Sequence, residues 1–456
     1  MKIKKTIIVL FLLAVFTSFV CAAAPSIEWS RQYNISATAQ HDAYACAIDT
    51  MGNIYVVGKV QEQVGTNDNI LVLKYNSSGD TLWHWYYDSG NYDVANDCVI
   101  NDMQQLYVAG SINNKAALLK FDQNGDTLWT RVINDPKYYG KSCALDEANN
   151  IYLAGDYDNG TTLIPFIKKF SPQGDSLWLK TILLETYTFD YYMTADCVLD
   201  SNMNIYFTGS TSTHGSFLAK CNNLGDTLWT RFRNIADTVN EAGQECHIDS
   251  EGNIYISGEY FYPGSPAPPY LAIKYDSNGN EIWNNMQSNG NSRMVLGEKS
   301  ALDNQGNLYV TGQSAMIKYN SLGDTVWTFW IGSGAGGYDC ELAPSGELVL
   351  CGKINDNGID YFLINKYQAE TGVAGDKPKE LSVVDQSSYL AYPNPFKSYA
   401  TVKGLEEQEL FIYNILGQKV QACKGSKIGE NLAPGIYFAT RAKLPQIKPV
   451  KLIKIK

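Results

Sequence analysis

Seven copies of one short pattern run through this chain, and a repeat of this kind can fold into very few things. The pattern joins a Cys-containing segment, a turn, Asn-Ile-Tyr-Val-x-Gly, a loop, Lys-Tyr, a second turn and Gly-Asp-Thr-Leu-Trp. Its first half appears at Cys46–Gly58, Cys98–Gly110, Cys143–Gly155, Cys197–Gly209, Cys246–Gly258, Ser300–Gly312 and Cys340–Gly352. Its second half centres on Trp83, Trp129, Trp178, Trp229, Trp283 and Trp327, one copy short. The missing piece sits at the other end, where Ser26-Ile27-Glu28-Trp29-Ser30-Arg31 reads like Asp126-Thr127-Leu128-Trp129-Thr130-Arg131. An array that begins with the last piece of its own repeat is arranged to close on itself and so to hide its sheet edges.

The repeat has the period of one propeller blade. The Tyr of the second segment recurs at 55, 107, 152, 206, 255 and 309, in steps of 45 to 54 residues. Each copy reads as four strands, A to D, exemplified by Cys46–Asp49, Asn53–Val57, Ile70–Tyr75 and Thr81–Trp85. The A–B and C–D turns place Asp or Asn first and Gly fourth, the chemistry of a tight hairpin. The expected fold is all-β: a seven-bladed β-propeller over residues 25–368, closed by its N-terminal strand. Short turns should fill one face and irregular B–C and D–A connections the other, where binding sites usually sit.

Composition supports an exported chain. The 456 residues include 31 Tyr and 38 Gly, as expected for many strands and turns. Residues 1–23 read as a signal peptide, with Lys2, Lys4 and Lys5 before the apolar stretch Ile7 to Val20 and small residues from Cys21. Lipidation at Cys21 is the alternative reading. No later segment is apolar and long enough to span a membrane. The net charge of −11 divides into +3 for residues 1–23, +7 for 389–456 and −21 for the residues between. So acidic a centre excludes nucleic acid as the expected partner. Ten cysteines in an exported chain usually mean disulfides. Here six of them, Cys46, Cys98, Cys143, Cys197, Cys246 and Cys340, share one repeat position. Equivalent positions on packed sheets lie roughly 8–10 Å apart, beyond a bridge. They read as small buried apolar residues, and so do Cys221 and Cys351.

Chemical motifs are scarce. Of the four histidines, His41, His84, His214 and His247, neither His84 nor His247 has a repeated acidic or nucleophilic neighbour at a telling spacing, and no zinc, phosphate-loop or serine-hydrolase motif is present. No catalytic residue, resident metal or cofactor is expected. Calcium is the one ion with oxygen ligands on offer, at Asp156–Gly160 and Asn355–Asp360, but neither run completes a calcium loop. The Lys recurring at 74, 120, 169, 220, 274, 318 and 366, and the repeated Trp, belong to the blade because every blade has them. The residues that break the repeat are loop aromatics. Tyr87, Tyr138, Tyr139, Tyr191, Tyr192, Tyr262 and Trp330 are the candidate ligand-binding set, joined by Tyr86, Tyr92 and Tyr338. Exposed rings with polar neighbours suit a sugar or an extended peptide.

Residues 369–388 lose the pattern and read as a linker, and 389–456 read as a second small domain. Tyr392-Pro393-Asn394-Pro395-Phe396, Leu410 to Val420 with Gly417, Leu432 to Phe438 with Gly435 and Tyr437, and Lys451 to Lys454 resemble the C-terminal sorting domain of the type IX secretion system. The resemblance implies a small immunoglobulin-like β-sandwich, recognition by that secretion machinery, and delivery through the periplasm and outer membrane to the cell surface or medium. A stalk module without a sorting role, or one of the flagellar-hook-assembly type, are the alternatives. The repeats themselves are similar to SBBP and NHL-type propeller repeats. The run Lys120 to Trp129 is similar to the tryptophan-docking repeat of quinoprotein dehydrogenases, whose eight blades and vicinal cysteine pair this chain lacks. The expected function is a non-enzymatic binding or scaffold propeller for an unknown glycan or protein ligand. A polysaccharide-degrading enzyme and a structural surface-layer component are the alternatives.

Overall fold

The Asp that opens five of the seven A–B turns explains most of what the repeat keeps. Asp49 Oδ1 accepts from the backbone N–H of Met51 at 2.9 Å and of Asn53 at 2.8 Å, fixing a tight turn. Its other oxygen accepts from the Asn53 amide at 2.7 Å and the Tyr55 hydroxyl at 3.4 Å. The same Asp–Tyr contact recurs at Asp146–Tyr152, Asp200–Tyr206, Asp249–Tyr255 and Asp303–Tyr309. A strand-C lysine lies over each of these five tyrosines and over Tyr107, its Nζ 4.6–4.8 Å from the ring centroid. The strand-D Trp meets the same ring nearly edge-on at about 6 Å. Asp, Tyr, Lys and Trp therefore form one packed column inside five blades, and blade 2 keeps it with Asn101 in place of the Asp, which gives the repeated Lys and Trp their structural role.

The computed structural model describes residues 25–35, 40–62, 67–182, 192–211, 215–233, 240–261, 270–287, 299–312, 315–332, 334–356, 358–369, 391–392, 401–402, 409–414, 419–424, 428, 432–441 and 450–454. The chain divides into two compact units, Met1–Lys377 and Pro378–Lys456.

The first unit is a ring of seven four-stranded antiparallel sheets. Blades 1 to 6 each run in chain order from an inner strand A to an outer strand D. The inner strands are Gln40–Ile48, Val94–Ile100, Tyr138–Leu145, Tyr192–Leu199, Asn240–Ile248, Ser300–Leu302 and Ala335–Leu342. Each touches the next, and the seventh touches the first. Blade 7 borrows its outer strand from the chain start. Ile27–Tyr33 pairs antiparallel with Ile359–Tyr367, from Ile27↔Tyr367 to Tyr33↔Phe362.

A common grip joins neighbouring blades. Trp83 Nε1 and Lys74 Nζ both donate to the Gln123 carbonyl in the C–D turn of blade 2, at 3.1 and 3.0 Å. Gly125 of that turn has φ +89°, and a Cβ there would stand 2.8 Å from the Trp83 ring. Only glycine fits both the backbone and the ring. The closing seam repeats the grip. Trp29 Nε1 donates to Ser77 O at 3.0 Å and lies against Gly79, where a Cβ would be 2.9 Å away. Arg31 holds the Gly79 and Ser78 carbonyls at 2.7 and 3.1 Å, as Arg131 holds those of Gly174 and Gln173 at 2.6 and 3.1 Å.

In the second unit, Lys419–Lys424, Glu409–Asn414, Gly435–Arg441 and Val450–Lys454 form one antiparallel sheet in that spatial order. Ala391–Tyr392 pairs with Thr401–Val402. The described residues of this unit show these two ladders and not the two packed layers of an immunoglobulin-like sandwich.

Candidate functional site

The inner strands of six blades carry a bulge at one repeat position, where the register shifts by a residue against strand B. The residues just past the bulge are Ala45, Asp97, Ser142, Asp196, Glu245 and Asp339, with Lys299 in the same place in blade 6. They converge on the ring axis, and each of five grips the next blade. Asp97 accepts from Cys143 N at 2.9 Å, Ser142 from Cys197 N at 3.3 Å and Asp196 from Cys246 N at 2.9 Å. Glu245 accepts from Ser300 N, and Asp339 from Cys46 N at 2.7 Å. Ala45 and Lys299 have no acceptor for this bond. Lys299 reaches across the axis instead, its Nζ 3.2 Å from Asp97 in the non-adjacent blade 2. Their side chains keep 14% and 13% of their surface open.

With His247 and Glu341, two residues further along their strands, this gathers five carboxylates, a lysine and a histidine that sequence reasoning did not bring together. The signal was the residue before the repeat Cys, polar in six of seven copies. Burial, reinforced by Glu245 and Asp97, lifts the Asp196 carboxyl to about 6. Ser142 Oγ lies 2.6 Å from Asp196 and 2.9 Å from Asp97. Its single proton serves one carboxylate at a time, and a protonated Asp196 supplies the other. Burial lifts Glu341 to about 7 against the pull of His247. Burial would lower His247, but Glu245, two residues back on the same strand and 3.4 Å away, raises it to about 9. Burial also opposes the charge of Lys299, yet Asp97, Asp339, Glu245 and Asp196 hold its ammonium well above its usual value.

A second cluster breaks the repeat at the loop-face end of the closing seam. Asp42 gathers Lys353 at 3.1 Å, Lys59 at 3.9 Å and the Tyr338 hydroxyl at 3.2 Å. Lys59 also pairs with Asp68 at 3.0 Å. The Tyr44 ring stands 5.7 Å from Tyr338. Burial, then Asp42, Tyr92 and Tyr338, push the Tyr44 hydroxyl far above its ordinary range.

The expected aromatics divide between packing and exposure. Tyr138 packs against Tyr157 at 4.6 Å and edge-on to Phe166 at 4.9 Å. Tyr87 stacks on Trp85 at 5.6 Å. Trp330, Tyr92 and Tyr139 are 53%, 41% and 37% exposed. Tyr192 opens an inner strand. Tyr191, Tyr262 and His214 lie outside the described residues, as do residues 1–23, expected to be a signal peptide, and all but Ala369 of the expected linker 369–388. Asp156 is buried and accepts from Thr194 N at 2.7 Å, while Asp158 and Asn355 cap their own turns. In the second unit Tyr437 is buried and its hydroxyl donates to Ala433 O at 2.9 Å, pinning the turn before Gly435. Tyr392 lies in the short ladder; Pro393, Asn394, Pro395, Phe396 and Gly417 lie outside the described residues.

Among the described residues no helix is long and apolar enough to cross a membrane. Residues 390–455 match the secretion system C-terminal sorting domain family. The tail is therefore a type IX sorting signal, and the chain is addressed to the cell surface or the medium. A stretch of 140 residues is 26% identical to an uncharacterized WD repeat-containing protein, L264, of Acanthamoeba polyphaga mimivirus. That stretch covers 26% of this chain and only 10% of the viral protein. Among solved structures, the RRP9 WD40 repeats superpose with a TM-score of 0.51 at 9% identity, over 76% of this chain and 100% of that one. The Neurospora crassa Pan2 WD40 domain gives 0.48 at 8%, over 75% and 97%. The likeness to RRP9 is one of fold and does not select the SBBP or NHL repeat type.

Proposed function

We propose that the propeller is a non-enzymatic binding or scaffold module, carried to the cell surface by its tail, that holds a glycan or protein ligand on its loop face. One observation carries this reading. The cluster of Tyr44, Tyr338, Asp42, Lys59 and Lys353 interrupts the repeat on the irregular face, and sets the half-buried Tyr44 ring, backed by the buried Tyr338, beside charged hydrogen-bonding groups. Flat rings beside such groups suit pyranose faces and peptide side chains alike. The axial carboxylates, by contrast, are engaged in holding blades together. The test is a glycan and peptide array probed with the mature chain. Binding should fall at least tenfold in Tyr44→Ala and Lys353→Met while melting stays near wild type. An array without hits, from protein that assembles with itself into sheets, supports the surface-layer alternative instead.

The enzymatic alternative has its own support in Glu341 and Asp196, whose protons are held near neutrality at the axis, the range of a general acid. Turnover of a surface polysaccharide that is lost in Glu341→Gln would favour it.

A further inference from the structure

We propose that Cys46 and Cys351 form a disulfide once the chain reaches an oxidising compartment, locking the first blade to the last. Cys46 lies on the inner strand of blade 1 and Cys351 on strand B of blade 7. Both are buried in one apolar cluster spanning the closing seam. Their sulfurs and an Asp339 carboxylate oxygen lie within 4.8 Å of one another.

The repeat itself calibrates the contact. Cys351 precedes the invariant strand-B glycine, Gly352, and its counterparts in the other blades are Val57, Ala109, Ala154, Thr208, Ser257 and Thr311. Each stands on strand B of one blade, opposite the repeat Cys position of the next. At the blade 5–6 seam both are serines, and Ser300 Oγ donates to Ser257 Oγ at 2.9 Å. At the closing seam both are cysteines, the only seam where that holds. Cys351 is not at the repeat Cys position, so the roughly 8–10 Å between like positions of neighbouring sheets does not separate this pair. A seam that brings two serine oxygens together brings two sulfurs within the reach of a bond after a small side-chain rotation.

The oxidant is a disulfide, whether of a periplasmic thiol–disulfide exchange protein or of oxidised glutathione. One cysteine thiolate attacks it, forming a mixed disulfide and expelling a thiolate. The second cysteine thiolate then attacks the mixed disulfide and expels the other. Two protons and two electrons pass from the protein to the oxidant, which leaves as two thiols. Because both sulfurs are buried in the finished ring, the exchange takes place while blades 1 and 7 are first meeting. The bond ties positions about 300 residues apart, so it removes much freedom from the unfolded chain.

The test uses the mature chain exported to the periplasm, then denatured in an alkylating agent without reductant and digested. A linked pair of peptides carrying Cys46 and Cys351 is expected, with Cys98, Cys143, Cys197, Cys246 and Cys340 alkylated as free thiols. Reductant should lower Tm by roughly 5 °C or more. It should leave unchanged the Cys46→Ser/Cys351→Ser double variant, which copies the serine pair of the blade 5–6 seam. Chain refolded from the reduced state should regain the link with oxidised glutathione as the probe. Recovery of both cysteines as free thiols from exported protein overturns the proposal. So does one zinc per chain with both thiols alkylated, which would make the Cys46–Asp339–Cys351 group a metal site.

Discussion

The closing seam and the seam between blades 5 and 6 use the same parts under different constraints. In both, a Trp indole from an outer strand donates to a carbonyl of the next C–D turn, Trp29 to Ser77 and Trp283 to Ser321. In both, an acidic side chain near the axis accepts the next blade's amide, Asp339 from Cys46 and Glu245 from Ser300. Blades 5 and 6 are neighbours along the chain, whereas blades 7 and 1 are its two ends. The loop-closure cost of bringing them together falls on the closing seam alone. That seam also departs in packing. Val349 stands where six blades have Tyr, and Ala343 where those blades have Asp or Asn. A Cβ on Gly306 would sit 2.9 Å from the Tyr255 hydroxyl, so that hydroxyl fills the space beneath the next turn. At the closing seam this socket is open, as a pocket of about 430 Å³ lined by Met51, Ser77, Glu347, Val349 and Lys366. Lys366, without a Tyr, pairs instead with Glu347 at 3.2 Å and Glu28 at 3.4 Å. The contacts that repeat hold blades together; the departures mark where the chain had to be joined.

The largest effect should come from removing the joint. Deleting residues 24–35 unpairs Ile359–Tyr367 and exposes a long sheet edge. Calorimetry should show Tm lower by more than 10 °C, or light scattering should show association. Melting like the parent would mean that the closing strand holds nothing.

Next, Trp29→Ala and Trp283→Ala should each cost about 2–3 kcal/mol in urea unfolding, below the cost for a fully buried ring because both are half-buried. Costs equal to within about 0.5 kcal/mol would establish that the two seams are energetically alike. A much larger loss at Trp29 would show that the ends of the chain depend on it more.

The axis gives a smaller effect, with a definite sign. His247 is raised in the folded ring to about 9 from an ordinary 6.5. Its contribution is complete below 6.5 and is lost as pH rises through 9. Glu341, raised to about 7 from 4.5, favours the folded state when protonated, so stability also falls between 4.5 and 7. Tm should therefore be a few degrees lower at pH 9.5 than at pH 6, and His247→Gln should flatten the part above 6.5. A Tm that rises with pH across this range would contradict the assignment.

The smallest change tests the open socket. Ala343→Asp with Val349→Tyr rebuilds the Asp–Tyr pair of the other blades and should raise stability by about 1 kcal/mol. A loss would show that the closing turn has settled around the smaller residues.

The ring and its closure were legible because a repeat states the same physical problem seven times, and the fragment at Trp29 had no other place to go. The seam grip was legible in part. Trp and Lys recur, but their shared carbonyl acceptor is a turn in the next blade, which no single copy contains. The axial cluster was not read because Asp97, Asp196, Glu245, Lys299 and Asp339 are separated by 40 to 99 residues from one to the next and differ in type. Only the bulge places them together. The Cys46–Cys351 pair escaped for the same reason, since it joins two different repeat positions. For the loop aromatics, sequence gives exposure poorly. Tyr138 and Tyr139 are adjacent, yet one packs on Tyr157 and the other stays open.

The pairing of Ile27–Tyr33 with Ile359–Tyr367 also orders events in time. The first strand made is completed only by the last blade made, and the sorting residues 390–455 come later still. A chain broken off anywhere before residue 359 carries neither a partner for its opening strand nor an address for export. Possession of the tail thus certifies that every blade was synthesised, and the outer-membrane machinery, by reading the tail, admits only chains long enough to have shut.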